Sequence, residues 1–87
     1  MNFLHNDLGI LDGDEVVEVS LSNAANVKLM DSSNFNNFRN GNRHEYFGGH
    51  VKQSPFRLPV PRSGHWHLAI DLGGYSGNVR AGIRVIG

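Results

Sequence analysis

Hydrophobic and polar residues alternate with a period of two in several short segments of the chain, which is the pattern of strands with one buried face. The strongest segment is 65–72. Its apolar face carries the only tryptophan of the chain and three aliphatic residues: Trp66, Leu68, Ile70 and Leu72. Its other face carries polar or small residues: His65, His67, Ala69 and Asp71. We therefore predict a central strand with its tryptophan face on the core and its histidine face partly exposed to solvent.

Weaker alternation predicts further strands, at 15–21, 26–30, 54–60 and 78–86. A few polar or small residues separate 15–21 from 26–30, so we expect these two strands to pair as a β-hairpin. Pro55 and Pro59 have no N–H to donate to a ladder, which predicts that 54–60 lies at a sheet edge.

Turn-forming residues separate these segments. Residues 7–9 are expected to turn after a short edge strand that begins at 3–4. The glycines at 48–49 interrupt a strand-like segment and indicate a β-bulge or the close approach of another backbone. The glycines of 73–77 are interpreted as turn glycines, since no helix follows that could offer its N-terminus to a phosphate group.

The asparagine-rich segment 31–42 has no strand periodicity. Asparagine is a poor helix former because its side chain competes for nearby backbone groups. We therefore expect a short turn or ordered loop, with at most one short helical turn near 32–40 that is capped by a serine and ends at Gly41. Phe35 and Phe38 are expected to attach the segment to the body of the protein.

These elements predict an all-β protein with one domain over 1–87, a small jelly-roll-like β-sandwich of six or seven short antiparallel strands. The formal net charge is zero, so nucleic acid is not an expected partner. The arginines that such a partner would need are Arg39, Arg43, Arg57, Arg62, Arg80 and Arg84. Six of the eight acidic residues precede position 32 and seven of the eight basic residues follow it, which favours ion pairs between strands.

Composition also sets expectations for the compartment. The chain has no cysteine, no apolar stretch near the roughly 20 residues that span a bilayer, and no signal-peptide pattern at its start. We expect a cytoplasmic protein with no membrane partner and no cofactor.

Several segments together carry a family resemblance: NVKLMDSSNF (26–35), RNG (39–41), GG (48–49), SPFRLPVPRSGHWH (54–67) and DLGGYSG (71–77). The chain resembles a bacterial family of small proteins classed as a domain of unknown function, and the resemblance covers nearly its whole length. It implies an all-β fold and a bacterial source. Some members are joined to TIR-type domains, which suits a recognition or adaptor role. The resemblance implies no activity.

The segment that includes the helical turn is the best candidate for a binding surface. Aromatic, asparagine and arginine side chains suit stacking on, and hydrogen bonding to, a sugar, nucleotide or peptide. The candidate residues are Asn34, Asn37, Arg39, Arg43 and Tyr46. No cysteine or nucleophile-elbow serine supports covalent catalysis, so a non-catalytic ligand-binding or protein-interaction module is the first interpretation.

The alternative interpretation is a small metal-binding protein or hydrolase. His65 and His67 are residues i and i+2 of one strand, which lie about 6.5–7 Å apart along the strand and project from the same face, so both imidazoles could bind one ion. A third ligand would have to come from elsewhere in the fold, and the candidates are His44, Glu45, His50 and Asp71.

Overall fold

The computed structural model describes residues 3–73 and 77–87, which form seven strands and one helix. The elements are β1 (Leu4–Leu11), β2 (Val16–Leu21), β3 (Ala25–Asp31), α1 (Ser32–Arg39), β4 (Phe47–Val51), β5 (Phe56–Pro59), β6 (Gly64–Asp71) and β7 (Ala81–Ile86). The larger antiparallel sheet has the order β1-β6-β3-β4, and the smaller has the order β5-β2-β7. The predicted all-β fold is confirmed. The turn predicted at 73–77 lies partly outside the described residues, which omit 74–76.

The main core lies between the two sheets and is centred on β6. Trp66, Leu68 and Ile70 are buried, as the alternation predicted, and Leu72 packs against the same core from the end of the strand. The indole N–H of Trp66 donates to the backbone oxygen of Arg62 at 3.0 Å, so its one polar atom is satisfied. The prediction of a central strand with its tryptophan on the core is confirmed.

The opposite face of β6 differs from the prediction. Only His65 is exposed there, whereas His67 is 8% exposed and Ala69 is fully buried. Helix α1 covers this face, because Phe35 and Phe38 pack in a second apolar cluster with Ala69. The expectation of a partly exposed histidine face was therefore wrong beyond the first residues of the strand.

The helix is longer than the single turn that the sequence suggested. Its N-cap is Asp31, whose carboxylate accepts from the backbone N–H of Asn34 at 2.9 Å. The predicted serine cap was wrong by one residue, whereas Gly41, with φ near +76°, follows the helix end as predicted. The cap and the burial of Phe35 and Phe38 outweigh the poor helix propensity of the asparagines.

The predicted hairpin of 15–21 with 26–30 was also wrong. β2 belongs to the smaller sheet and β3 to the larger, so the connection between them crosses from one layer to the other. The same is true of every connection between consecutive strands in the described chain except the one through α1. Period-two patterns show which faces are buried, but they do not show which strands pair.

The turn expected at 7–9 lies inside β1. The strand runs from Leu4 to Leu11, with a shift in register between Asp7 and Gly9. Gly9 adopts φ near +75°, and its N–H donates to the Asp7 carboxylate at 2.9 Å. The turn-forming residues therefore produce a β-bulge in a continuing strand.

Three other expectations are confirmed. Among the described strands β5 pairs with β2 alone and forms an edge of the smaller sheet, as its prolines predicted. A Cβ on Gly48 would overlap the backbone oxygen of Val27, which explains the glycine there as a close backbone approach. Charges from the two halves of the chain form ion pairs: on neighbouring strands Glu18 lies 2.9 Å from Arg57 and 2.9 Å from Arg84, and at the end of β3 Asp31 lies 2.8 Å from Arg62 in the segment before β6. No helix among the described residues is long and apolar enough to span a membrane.

Candidate functional site

Two groups of polar side chains lie beside α1, one towards β1 and β6 and the other towards β3 and β4. The first, which we call the histidine cluster, consists of His5, Asp7, His65 and His67 on the neighbouring strands β1 and β6. The second lines an open recess of ≈430 Å³ on the side of β3 and β4. Both groups contain residues that the sequence singled out, and each supports a different chemistry.

Strand register brings the histidine cluster together. Asp7 lies directly opposite His67 in the β1–β6 ladder, and His65 lies two residues away on the same face. The Nε2 atom of His65 is 2.6 Å from Oδ1 of Asp7, with both side chains partly exposed. The possible ligand atoms of these three residues all lie within 4.8 Å of one another. The cluster is thus fixed by two paired strands.

His67 is the most constrained member of the cluster. Its Nδ1 atom is 3.0 Å from Nε2 of His5, and its Nε2 atom is 2.8 Å from the hydroxyl of Ser32 on α1. Its ring is stacked between the rings of His65 and Phe35, each with its centroid 4.7 Å away. Contacts on both nitrogens and both ring faces hold the imidazole in one orientation.

Burial and hydrogen bonding set the charges of the cluster. Burial lowers the pKa of His67 below its ordinary value, so the ring is neutral near neutral pH. The hydrogen bond from His65 is the main reason that the pKa of Asp7 lies below its ordinary value, with help from the Gly9 N–H. The cluster therefore presents a carboxylate beside a neutral imidazole, a pair of groups that bind cations.

The partner of His65 and His67 is a residue that the sequence did not suggest. Four residues were proposed as the third ligand. His44 and Glu45 line the recess on the other side of α1, and His50 is an exposed residue of β4. The carboxylate of Asp71 accepts hydrogen bonds from Asn26 and Gly73. None of them lies in the histidine cluster as the structure describes it. Asp7 takes that place. His5 and Asp7 are two residues apart, a spacing that places polar side chains on the outward face of a strand. The interpretation of 7–9 as a turn led us to overlook this pattern.

The recess combines aromatic rings with hydrogen-bonding side chains. Tyr46 and Phe47 are 43% and 45% exposed. Arg62 pairs with Asp31 and lies over the Trp66 ring at 5.0 Å from its centroid. The full lining is Leu29, Met30, Asp31, Asn34, His44, Glu45, Tyr46, Phe47, Arg62 and Trp66.

Several contacts hold the rim of the recess in place. The side-chain oxygen of Asn34 accepts from the backbone N–H of Glu45 at 2.8 Å, which joins α1 to the segment before β4. The Lys28 ammonium group lies 4.7 Å from the centroid of the Tyr46 ring and 3.3 Å from Nε2 of His44. Tyr46 is therefore an exposed aromatic ring with a fixed neighbour on one side.

The structure separates the five predicted binding residues. Asn34 and Tyr46 line the recess, whereas Asn37, Arg39 and Arg43 are not part of its lining. Arg39 instead lies over the Phe35 ring, 5.7 Å from its centroid, and donates to the side chain of Asn36. The sequence missed Asp31 and Arg62 as recess residues, because only the fold places residue 62 beside the start of the helix.

Comparisons with known proteins place the chain in a family. The family model described as a domain of unknown function, DUF1883, matches residues 1–87. No curated protein and no solved structure matched the chain. With its whole length matched by that model, the chain belongs to the DUF1883 family of domains of unknown function.

Proposed function

We propose that this domain is a non-catalytic binding module and that the recess beside α1 is its ligand site. The observation that carries the proposal is the combination, in one recess of ≈430 Å³, of exposed aromatic rings with side chains that are already held by hydrogen bonds and ion pairs. That volume lies within the range of about 300–1,000 Å³ that small-molecule sites occupy.

The lining indicates the chemistry of the ligand. Tyr46 and Phe47 offer ring faces on which a flat group can stack, and such stacking contributes about 1–3 kcal/mol per base in nucleic-acid complexes. Glu45 and Arg62 supply an acceptor and a donor at the same opening. A ligand with a ring and several hydrogen-bonding groups, such as a nucleoside, a sugar or the aromatic residue of a peptide, fits this lining.

The fixed rim favours binding over chemistry. The Asn34 bond to the Glu45 backbone and the Asp31–Arg62 pair order these groups before a ligand arrives, which reduces the entropy cost of binding. The bacterial source and the joining to TIR-type domains that the resemblance implied would make the domain the recognition part of larger cytoplasmic proteins.

A thermal-shift screen of nucleosides, monosaccharides and short aromatic peptides tests the proposal. A hit from the screen should lose at least about tenfold in affinity in Tyr46→Ala, because one stacking contact of about 1–3 kcal/mol is removed. Tyr46 is 43% exposed, so the variant should fold normally.

The matched control is the double variant Asn37→Ala/Arg39→Ala, which changes polar side chains of α1 outside the recess lining. It should leave both folding and binding unchanged. If the double variant loses binding while Tyr46→Ala keeps it, the ligand site lies on the polar face of α1 and the recess is the wrong assignment. The absence of any hit that depends on Tyr46 would also overturn the recess proposal.

A further inference from the structure

We propose that Asp7, His65 and His67 form a binding site for a divalent transition-metal ion of the Zn²⁺ class. The site lies on β1 and β6, on the other side of α1 from the recess. It is therefore independent of the proposed ligand site. The proposal rests on the placement of the three side chains, on the contacts that orient them and on the chemistry of the donor set.

The ligand atoms are close to the spacing that an ion requires. They lie within 4.8 Å of one another, and donors bonded to tetrahedral zinc at about 2.0–2.2 Å stand roughly 3.3–3.6 Å apart. The ion must replace the proton that His65 donates to Asp7 across their 2.6 Å hydrogen bond: this proton moves to Nδ1 of His65 or is released to solvent, and the longer separations must close. The His65 ring, which is stacked at 7° to the His67 ring, must also turn so that the two nitrogens point to one ion; the side chains of His65 and Asp7 are 42% and 52% exposed, which leaves them room to rotate.

The surrounding contacts resemble the outer shell of a metal site. Metal-binding imidazoles generally use their second nitrogen in a hydrogen bond that fixes the ring. The Nε2 atom of His67 contacts the Ser32 hydroxyl at 2.8 Å, and its Nδ1 atom faces β1, where it contacts His5. The Gly9 N–H donates to Asp7 at 2.9 Å and fixes that carboxylate through the β-bulge.

The donor set selects the kind of ion. Two imidazoles and one carboxylate suit Zn²⁺, Co²⁺ or Ni²⁺, whereas Mg²⁺ and Ca²⁺ prefer sites made of oxygen ligands. The side chains of His65 and Asp7 are 42% and 52% exposed, so an ion can reach them from solvent and keep a water ligand. Binding at Nδ1 of His67 replaces its contact with His5, which leaves the Nε2 atom of His5 beside the same ion.

The test uses protein that carries no polyhistidine tag and has been treated with a chelator. Isothermal titration and thermal shift are measured with Zn²⁺ alone, and separately with Mg²⁺ and Ca²⁺. We expect Zn²⁺ to bind with one equivalent per chain and to raise the melting temperature, because an ion that binds only the folded state stabilises it. Mg²⁺ and Ca²⁺ should leave the melting temperature unchanged. Co²⁺ should give the visible absorption of a nitrogen- and oxygen-bound ion.

Matched variants separate this site from adventitious binding to surface histidines. His65→Ala and Asp7→Asn should each weaken Zn²⁺ binding by at least about tenfold. His50→Ala, which removes an exposed histidine of β4 outside the cluster, should have no effect. His65 and Asp7 are exposed, so their variants should fold normally, and circular dichroism checks this.

Three outcomes would overturn the proposal: no response to Zn²⁺, an equal response to Mg²⁺, or equal weakening in His50→Ala and His65→Ala. None of these outcomes bears on the recess, whose test depends on Tyr46. Failure of the metal site and failure of the ligand site are thus distinguishable.

Discussion

Replacing Trp66 with alanine should remove the largest single contribution to the core. The side chain is 1% exposed and lies between the two sheets, where it contacts Phe47 edge-on at 6.2 Å between ring centroids. Its N–H bond to the Arg62 backbone ties β6 to the segment that precedes it. The substitution therefore removes both apolar contact and one satisfied hydrogen bond from the centre of the molecule.

The expected loss follows from the buried area. An indole of about 200 Å², at about 25 cal/mol per Å², corresponds to about 5 kcal/mol, close to the upper end of the roughly 3–5 kcal/mol found for buried aromatic residues changed to alanine. A chain of 87 residues has a total stability of about 4–13 kcal/mol at about 0.05–0.15 kcal/mol per residue. Trp66→Ala should therefore remove at least about a third of the total stability, and it should unfold most molecules if that total lies near the lower end of the range.

Urea unfolding followed by far-ultraviolet circular dichroism measures this loss, because the substitution removes the only tryptophan and with it the fluorescence signal. Trp66→Phe, which keeps a ring but not the N–H, should lose less than Trp66→Ala. Ile10→Ala is the control, since Ile10 is 74% exposed and should change stability by no more than about 0.5 kcal/mol. A loss below about 1 kcal/mol for Trp66→Ala would refute the placement of this side chain at the centre of the core.

Five further substitutions test three other features, each by urea unfolding. Gly48→Ala should be much more destabilising than Gly49→Ala. Both glycines have positive φ, but only at Gly48 would an added Cβ meet backbone atoms, those of Val27. Equal losses of unfolding free energy in the two variants would contradict this close approach. The hydrogen bond from the Arg57 guanidinium is the main cause that holds the pKa of Glu18 below its ordinary value of 4.5. Glu18 therefore stabilises the fold above pH 4.5, and this contribution is lost as the pH falls through the lowered pKa. The stability difference between wild type and Glu18→Gln should accordingly shrink from about pH 7 to about pH 3, and a constant difference would contradict it. Asp31→Ala should lower the free energy of unfolding by about 0.5–2 kcal/mol, whereas Asp31→Asn should lower it less because asparagine can still cap α1. Equal losses in the two variants would mean that the ion pair between Asp31 and Arg62 matters more than the cap.

The sequence predicted what local patterns determine. Period-two alternation identified the buried faces of β6 and β5, and the prolines identified β5 as an edge. It could not identify strand partners, since the Glu15–Leu21 and Asn26–Met30 patterns fit a hairpin as well as two separate sheets. The length of α1 was underestimated because a cap and two buried phenylalanines contribute more than the propensity of its asparagines.

For the candidate sites, too, the sequence predicted which residues of one strand share a face but not which distant segments come together. Spacing alone was enough to place His65 and His67 on one face, but their acidic neighbour is 58 residues away from His65 in the chain. Asp7 lies beside His65 only because β1 pairs with β6 in this register, with a bulge at Gly9. The recess likewise depends on Arg62 meeting Asp31 over a separation of 31 residues. Long-range register is set by the whole core, so no short segment of sequence encodes it.

The alternation of consecutive strands between the two sheets also determines how the chain must fold. No two consecutive strands in the described chain form a tight hairpin, so no strand pair can form early at a low entropy cost of loop closure. For such a non-local topology we expect folding on the scale of milliseconds to seconds. β2 is the central strand of its sheet, but its partners β5 and β7 follow it by 34 residues or more. Until β7 has been synthesised, β2 has one unpaired edge, and the apolar side chains of Val17 and Val19 lack part of their cover. β7, which follows the other six described strands in chain order, is thus the one that completes the smaller sheet.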